Sequence, residues 1–129
     1  MSVKVNYSLC EIWAGNIDQY DFAALEKRGF HLITDDSKKY FRISKIDPDQ
    51  DDIRLAYGLQ DKFTARGLFS TVELTGYGKA VLPNNIETVN TYSEKGMTCT
   101  ELTYKSKPYQ VAVRGDKVII GSPIIGVGY

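Results

Sequence analysis

Few residues in this sequence could act as nucleophiles, bases or metal ligands, and these few are widely spaced. The chain has one histidine, His31, and two cysteines, Cys10 and Cys99. A Ser–His or Cys–His pair would have to use His31. One histidine and two distant cysteines also lack the ligand spacing of a zinc site. The inventory assigns these three residues no role, and it favours a non-enzymatic protein without a bound metal or cofactor.

The acidic run from Asp47 to Asp52 is the one segment that invites comparison with a cation site. Carboxylates occupy the first, third and fifth positions, as in a calcium-binding loop. The sixth position is Asp52 where such a loop needs glycine, and the twelfth is Gly58 where it needs glutamate. We therefore interpret the acids as stabilising the start of a helix, with Asp47 as N-cap and Pro48 in the first turn.

Tyrosine is the uncommon residue, with nine copies among 129 residues. Nine tyrosines cannot all lie in a small core without many buried hydroxyls that need partners. Exposed tyrosine and arginine are enriched at interface hot spots because each combines contact area with a polar tip. We expect several tyrosines at the surface, including some of the following: Tyr40, Tyr77, Tyr92, Tyr104, Tyr109 and Tyr129. The predicted binding residues are Tyr40, Arg42, Lys105, Lys107, Tyr109 and Arg114.

These features favour a small binding protein that regulates or inhibits a protein partner. Edge strands in the C-terminal part could also pair across a homodimer. One alternative is a single-stranded RNA or DNA binder that uses Tyr40 and Arg42 on an open sheet face. It would also use a C-terminal basic patch, which consists of Lys105, Lys107, Tyr109, Arg114 and Lys117. A second alternative is an enzyme or small-ligand binder whose Arg/Tyr/Asp pocket is invisible in linear spacing.

Charge and hydropathy patterns bear on the compartment. Sixteen Lys and Arg residues balance sixteen Asp and Glu, so no global field draws the chain to nucleic acid or to a membrane. The longest apolar runs, such as 118–120, are far shorter than the ~20 residues that cross a bilayer. The alternating N-terminus is unlike a signal peptide, and two cysteines do not make a disulfide scaffold. We predict a cytoplasmic protein with reduced, buried cysteines.

The elements that must position these side chains follow from hydrophobic periodicity. Strands are predicted over residues 3–13, 30–34, 39–46 and 68–75. Two helices separate them, and each ends in a basic residue, a glycine and an apolar residue: Arg28-Gly29-Phe30 and Arg66-Gly67-Leu68. In the strand over 39–46, alternation places Phe41 and Ile43 toward the helices and Tyr40, Arg42 and Ser44 on the opposite face.

The resulting order, β-α-β-β-α-β, predicts an α+β fold with a ferredoxin-like core over about residues 1–75. Residues 76–129 are predicted to form a C-terminal antiparallel β extension, and the whole chain 1–129 a single domain. Gly76-Tyr77-Gly78 is predicted to be a turn, and Gly115 the first position of a type II′ hairpin turn.

Overall fold

A computed structural model describes residues 9–14, 22–34, 41–78 and 84–125 of the chain. Over these ranges the protein is α+β, with two helices and mostly antiparallel strand pairing. The elements are β1 (Leu9–Ala14), α1 (Ala23–Lys27), β2 (His31–Thr34), β3 (Phe41–Ile46), α2 (Gln50–Ala65), β4 (Ser70–Tyr77), β5 (Glu87–Glu94), β6 (Met97–Tyr104), β7 (Lys107–Arg114) and β8 (Lys117–Ser122).

Contacts within the chain divide it into two compact units. The first unit spans Leu9–Val72, and the second comprises Met1–Ser8 and Glu73–Tyr129. The boundary falls inside β4, so this strand contributes residues to both units.

In the first unit, β3 lies between β2 and β1, and β4 begins beside β1. Phe41 is paired with Ala14 of β1 and with Thr34 of β2. Both pairings are antiparallel and run without a shift in register. The side chains of β3 therefore alternate regularly between the two faces of the sheet.

One face of this sheet packs against the helices through an aromatic cluster. The rings of Phe22 and Phe41 have centroids 4.5 Å apart, and those of Phe41 and Phe63 are 5.9 Å apart in an edge-to-face arrangement. Phe41, Ile43 and Phe63 are all buried. The predicted orientation of Phe41 and Ile43 toward the helices is therefore confirmed.

The two helices end in the same way, as their sequences predict. Gly29 and Gly67 have φ angles of +90° and +74°, the left-handed region that favours glycine. After each glycine the backbone N–H folds back onto the helix: Phe30 donates to the carbonyl of Leu25, and Leu68 to that of Phe63. These are the backbone bonds of a Schellman cap.

The start of α2 differs from the prediction, because Asp49 and not Asp47 is the N-cap. Asp49 is extended, with ψ of 179°, and its carboxylate accepts a bond from the N–H of Asp52 at 2.8 Å. The carboxylate of Asp52 in turn accepts a bond from the N–H of Asp49, which completes a capping box. Asp47 instead has φ of +54°, so it lies in a turn before Pro48.

The turn predicted at Gly76-Tyr77-Gly78 is also wrong, since β4 continues through Tyr77. The N–H of Gly78 donates to the carbonyl of Asp116 at 2.7 Å. Pairing across a sheet therefore overrides the local preference of two glycines for a turn.

The second unit contains an antiparallel meander in the order β8-β7-β6-β5. Two-residue turns join its strands, and both residues of the β6–β7 turn, Lys105 and Ser106, have positive φ. This is the pattern of a type I′ hairpin turn. Gly115, in the β7–β8 turn, has the positive φ that the predicted type II′ turn requires at its first position.

Apolar side chains line both faces of this meander. One face holds the buried residues Met97, Cys99, Ala112, Ile119 and Ile125. The other holds the buried residues Leu102, Val111, Val118 and Ile120. Cys99 is buried and is not part of a disulfide, as predicted.

Gln110 joins the meander to the segment that follows β8. Its amide N–H donates to the hydroxyl of Tyr92, and its amide oxygen accepts from the N–H of Ile125 at 2.7 Å. The returning segment passes so close to Gly121 that a Cβ there would lie 2.4 Å from the carbonyl oxygen of Ile124. Only glycine fits this crossing without a shift of the backbone.

Candidate functional site

The structure brings three of the six predicted binding residues together. Lys105, Lys107 and Tyr109 lie at the β6–β7 turn, whereas Arg114 ends β7 at its far end. Arg42 belongs to β3 in the first unit. Tyr40 lies outside the described residues.

The residues at the β6–β7 turn form a compact set, which we name the Tyr–Lys hairpin: Tyr104, Lys105, Lys107 and Tyr109. The amine of Lys105 lies 5.3 Å from the ring centroid of Tyr104, and that of Lys107 lies 5.9 Å from the ring centroid of Tyr109. Both distances are within the range of a cation–π contact. Tyr104 was expected at the surface but was not among the predicted binding residues.

Strand register explains why this set is compact. Tyr104 is directly opposite Lys107, and Leu102 is directly opposite Tyr109. Side chains that face one another across an antiparallel pair lie on the same face of the sheet. Both rings also pack against the cluster that contains Leu102, so they are half-buried and held in place.

Burial has a measurable electrostatic effect on one of these rings. Desolvation raises the pKa of the Tyr109 hydroxyl, and the neighbouring Tyr104 raises it further. Tyr109 therefore stays neutral at physiological pH, and the hairpin carries the positive charges of its two lysines.

Arg114 lies in a different neighbourhood of the same unit. It is directly opposite Lys117 across the β7–β8 turn, and its Cδ lies 4.0 Å from the position that a Cβ on Gly96 would occupy. Gly96 is in the β5–β6 turn. Two basic clusters thus occupy opposite ends of β7, where the sequence suggested one patch.

Arg42 lies on the face of the first unit's sheet that points away from Phe41 and Ile43. By register it is opposite Ile33, and Ser44 is opposite His31. Ile33 and His31 are exposed, but Arg42 and Ser44 are half-buried.

The start of β4 does not offer the open sheet face that nucleic-acid binding requires. Ser70, Thr71, Val72 and Glu73 of β4 are all buried. Since consecutive residues of a strand point to opposite faces, both faces of β4 are covered there.

A partly buried ion-pair cluster is the group that sequence reasoning missed. The carboxylate of Asp52, which is fully buried, accepts from Arg28 Nε at 2.9 Å and from Lys45 Nζ at 2.7 Å. Lys45 also donates to the backbone carbonyl of Arg28. The cluster ties the end of α1 to β3 and to the start of α2.

Burial by itself would raise the pKa of Asp52. Hydrogen bonds from Lys45, from the Asp49 backbone and from Arg28 outweigh it and lower that pKa to about 2. Asp52 is therefore ionised at all physiological pH values. Because its oxygens already accept from these internal donors, we assign it a structural role. The spacing of Asp49 and Asp52 fits a capping box, so the sequence does indicate the capping role of Asp52, although not its ion pairs.

Between α1 and α2 runs a groove of about 450 Å³. Its lining includes Leu25, Leu55 and Leu59, with Arg54 and Lys62 at the rim. The second alternative drawn from the sequence would be favoured by a concave site that unites His31, Arg42 or Arg66 with a carboxylate, and none of these three lines the groove.

Neither a metal-ligand cluster nor a membrane-spanning helix occurs among the described residues. Within ranges 9–14, 22–34, 41–78 and 84–125, no three His, Cys, Asp or Glu side chains are grouped as metal ligands would be. In the same part of the chain, neither helix has the length and hydropathy that crossing a bilayer requires.

Comparison of the chain with protein-family models, with curated protein sequences and with solved structures found no match.

Proposed function

We propose that this chain is a non-enzymatic binding protein whose Tyr–Lys hairpin contacts a protein partner. The observation that carries the proposal is the pairing of two lysine amines with two half-buried tyrosine rings on one turn. Rings held by packing lose little conformational entropy on binding, and aromatic side chains with polar tips are typical of hot spots.

The charge of the hairpin defines the partner surface. Lys105 and Lys107 contribute two positive charges on a chain whose net charge is zero. Complementarity therefore favours an acidic patch on the partner, with apolar groups to cover the rings. We propose that binding of this kind regulates or inhibits the partner, in the cytoplasm.

Single-stranded nucleic acid is the second candidate, and the same hairpin supports it. Bases stack on tyrosine rings while lysines neutralise phosphates. The limited exposure of Arg42 and the buried face of β4 weigh against the larger sheet platform that such a domain would use.

We also propose that β1 to β4 with α1 and α2 form a ferredoxin-like unit. The strand order β2-β3-β1-β4 and the antiparallel pairing of β3 with both neighbours support this topology. The unit would serve as the scaffold of the protein.

The test of partner binding is a quantitative capture experiment from extract of the source cells. The bait proteins are the wild type, a Lys105→Glu/Lys107→Glu variant, and a matched control, Arg114→Glu/Lys117→Glu. The control changes the net charge equally but alters the other end of β7. We expect one stoichiometric protein to be recovered by the wild type and the control and to be lost with the hairpin variant.

Two results would contradict the proposal. Equal recovery by all three baits would exclude the hairpin as the contact surface. Recovery that disappears after nuclease treatment, with an affinity for mixed oligonucleotides that falls steeply with salt, would instead support the nucleic-acid candidate.

A further inference from the structure

The groove between α1 and α2 combines an apolar floor with helix backbone that is open to approach. Leu25 is buried at its base, while Leu55 remains 39% exposed beside it. Ala24 and Leu59 extend the same apolar lining. A groove of this kind leaves apolar surface in water that a partner could bury.

At Gly58 the backbone of α2 itself lines the groove, because this residue has no side chain to cover it. It lies in the interior of α2, and a Cβ built on it would meet no atom within 4 Å. Glycine is a poor helix former, so this position lowers helix stability, and no packing among the described residues requires it. Its lack of a side chain lets another backbone come close to α2 at this point.

The rim of the groove carries a positive excess. Asp51 and Arg54 form an exposed ion pair at 3.0 Å, and one turn beyond Gly58 the rim holds Lys62, which is also exposed. The lining therefore has two cations, Arg54 and Lys62, and one carboxylate, Asp51, which is paired with Arg54. An occupant with carboxylates beside its apolar side chains would complement this rim.

We propose that the groove binds an amphipathic helix of another protein, apolar on one face and acidic beside it. Leu55 and Leu59 are four residues apart, which is the spacing that meets the apolar stripe of a docked helix. A second copy of this chain fits less well, because a two-fold contact would oppose the positively charged rim with itself. A small molecule would stay largely in water, since the Asp51 and Arg54 side chains are 71% and 74% exposed.

The test uses the full chain and two fluorescent synthetic helices of about 18 residues each. One has leucines on one face and glutamates elsewhere, and the other replaces every glutamate with lysine. We expect the Leu/Glu helix to bind at least roughly tenfold more tightly than the Leu/Lys helix, as measured by fluorescence anisotropy.

Variants then locate the site. Leu55→Asp should weaken binding of the Leu/Glu helix by about tenfold or more. Lys62→Glu should reduce or reverse the preference between the two helices. Phe69→Asp is the matched control, since Phe69 is 65% exposed and does not line the groove. Thermal unfolding of each variant checks that it remains folded.

Several outcomes would overturn the inference. These are equal affinity for both helices, binding that Leu55→Asp leaves unchanged, and equal losses with Phe69→Asp. Self-association in sedimentation experiments that Leu55→Asp abolishes would assign the groove to a second copy instead. The Lys105→Glu/Lys107→Glu variant should bind the Leu/Glu helix as tightly as its charge-matched control, Arg114→Glu/Lys117→Glu, so failure of the hairpin proposal would leave this one standing.

Discussion

At the scale of single residues, Asp52 makes the most consequential contacts in the first unit. Its pKa in the folded chain is about 2, below the ordinary value of 3.8. The ionised carboxylate therefore stabilises the fold fully above pH 4, and this contribution is lost as the pH falls toward 2. We expect Asp52→Asn to lower the free energy of unfolding at neutral pH by roughly 2 kcal/mol, because Lys45 and Arg28 lose the negative charge and one of the two acceptor oxygens between them.

Urea unfolding of the wild type and Asp52→Asn between pH 7 and pH 2 measures this effect. The difference in stability should shrink as the pH falls below 4. The matched control is Asp51→Asn, which removes an exposed pair with Arg54. Such pairs contribute only about 0.5 kcal/mol, so the control should stay close to the wild type. A constant difference at every pH would show that Asp52 does not act through its charge.

Gly121 is a second residue whose substitution has a definite expected result. A methyl group there would approach the backbone of Ile124 and Ile125, with the nearest atoms 2.4–2.7 Å away. We expect Gly121→Ala to lower stability by about 1–3 kcal/mol, because backbone must shift to admit the side chain. Thermal and chemical unfolding measure the change, and unchanged stability would mean that the returning segment is not held as described.

At the scale of elements, a substitution in α2 is expected to raise stability, whereas Gly121→Ala is expected to lower it. Gly58 is mid-helix and has open space around it. Gly58→Ala should therefore stabilise the protein by about 0.5–1 kcal/mol, through the higher helix propensity of alanine. Circular dichroism melts measure this directly. A loss of stability would indicate that the space beside α2 is filled within the chain.

Local patterns predicted the elements well where a short-range signal decides the structure. Gly29 and Gly67 mark both helix ends because the left-handed conformation favours glycine wherever it occurs. Local reasoning failed at Asp47, since residues 47–52 contain four aspartates that could act as N-cap and only the capping box distinguishes Asp49. It failed again at Gly76, where strand pairing holds the chain extended.

At the scale of the whole molecule, the sites depend on register, which linear spacing does not reveal. Lys105 and Tyr109 are close in sequence and were predicted together. Tyr104 precedes Lys105 directly, but its position opposite Lys107 follows only from the strand register. Arg28, Lys45 and Asp52 meet although Arg28 is 24 residues from Asp52. Such contacts follow from the packing of helices on a sheet, so the ion-pair cluster could not be read from the sequence.

The balance of charge across the molecule leads to a prediction about solubility. The chain carries sixteen basic and sixteen acidic side chains. Its isoelectric point of about 6.6 lies near neutrality. Proteins associate most readily when their net charge vanishes, so solubility should be lowest near pH 6.6 and rise on either side. Light scattering across a pH series checks this, and a minimum far from that value would show that local patches dominate.

The position of the unit boundary within β4 restricts how the protein can be divided. A cut between Val72 and Glu73 leaves three residues of the strand on one piece and five on the other. Each piece would then end in a truncated strand with unsatisfied amide and carbonyl groups, a template for aggregation. Gene fusions, split reporters and proteolytic dissection of this protein should therefore place their junctions outside Ser70–Tyr77, so that the strand stays whole.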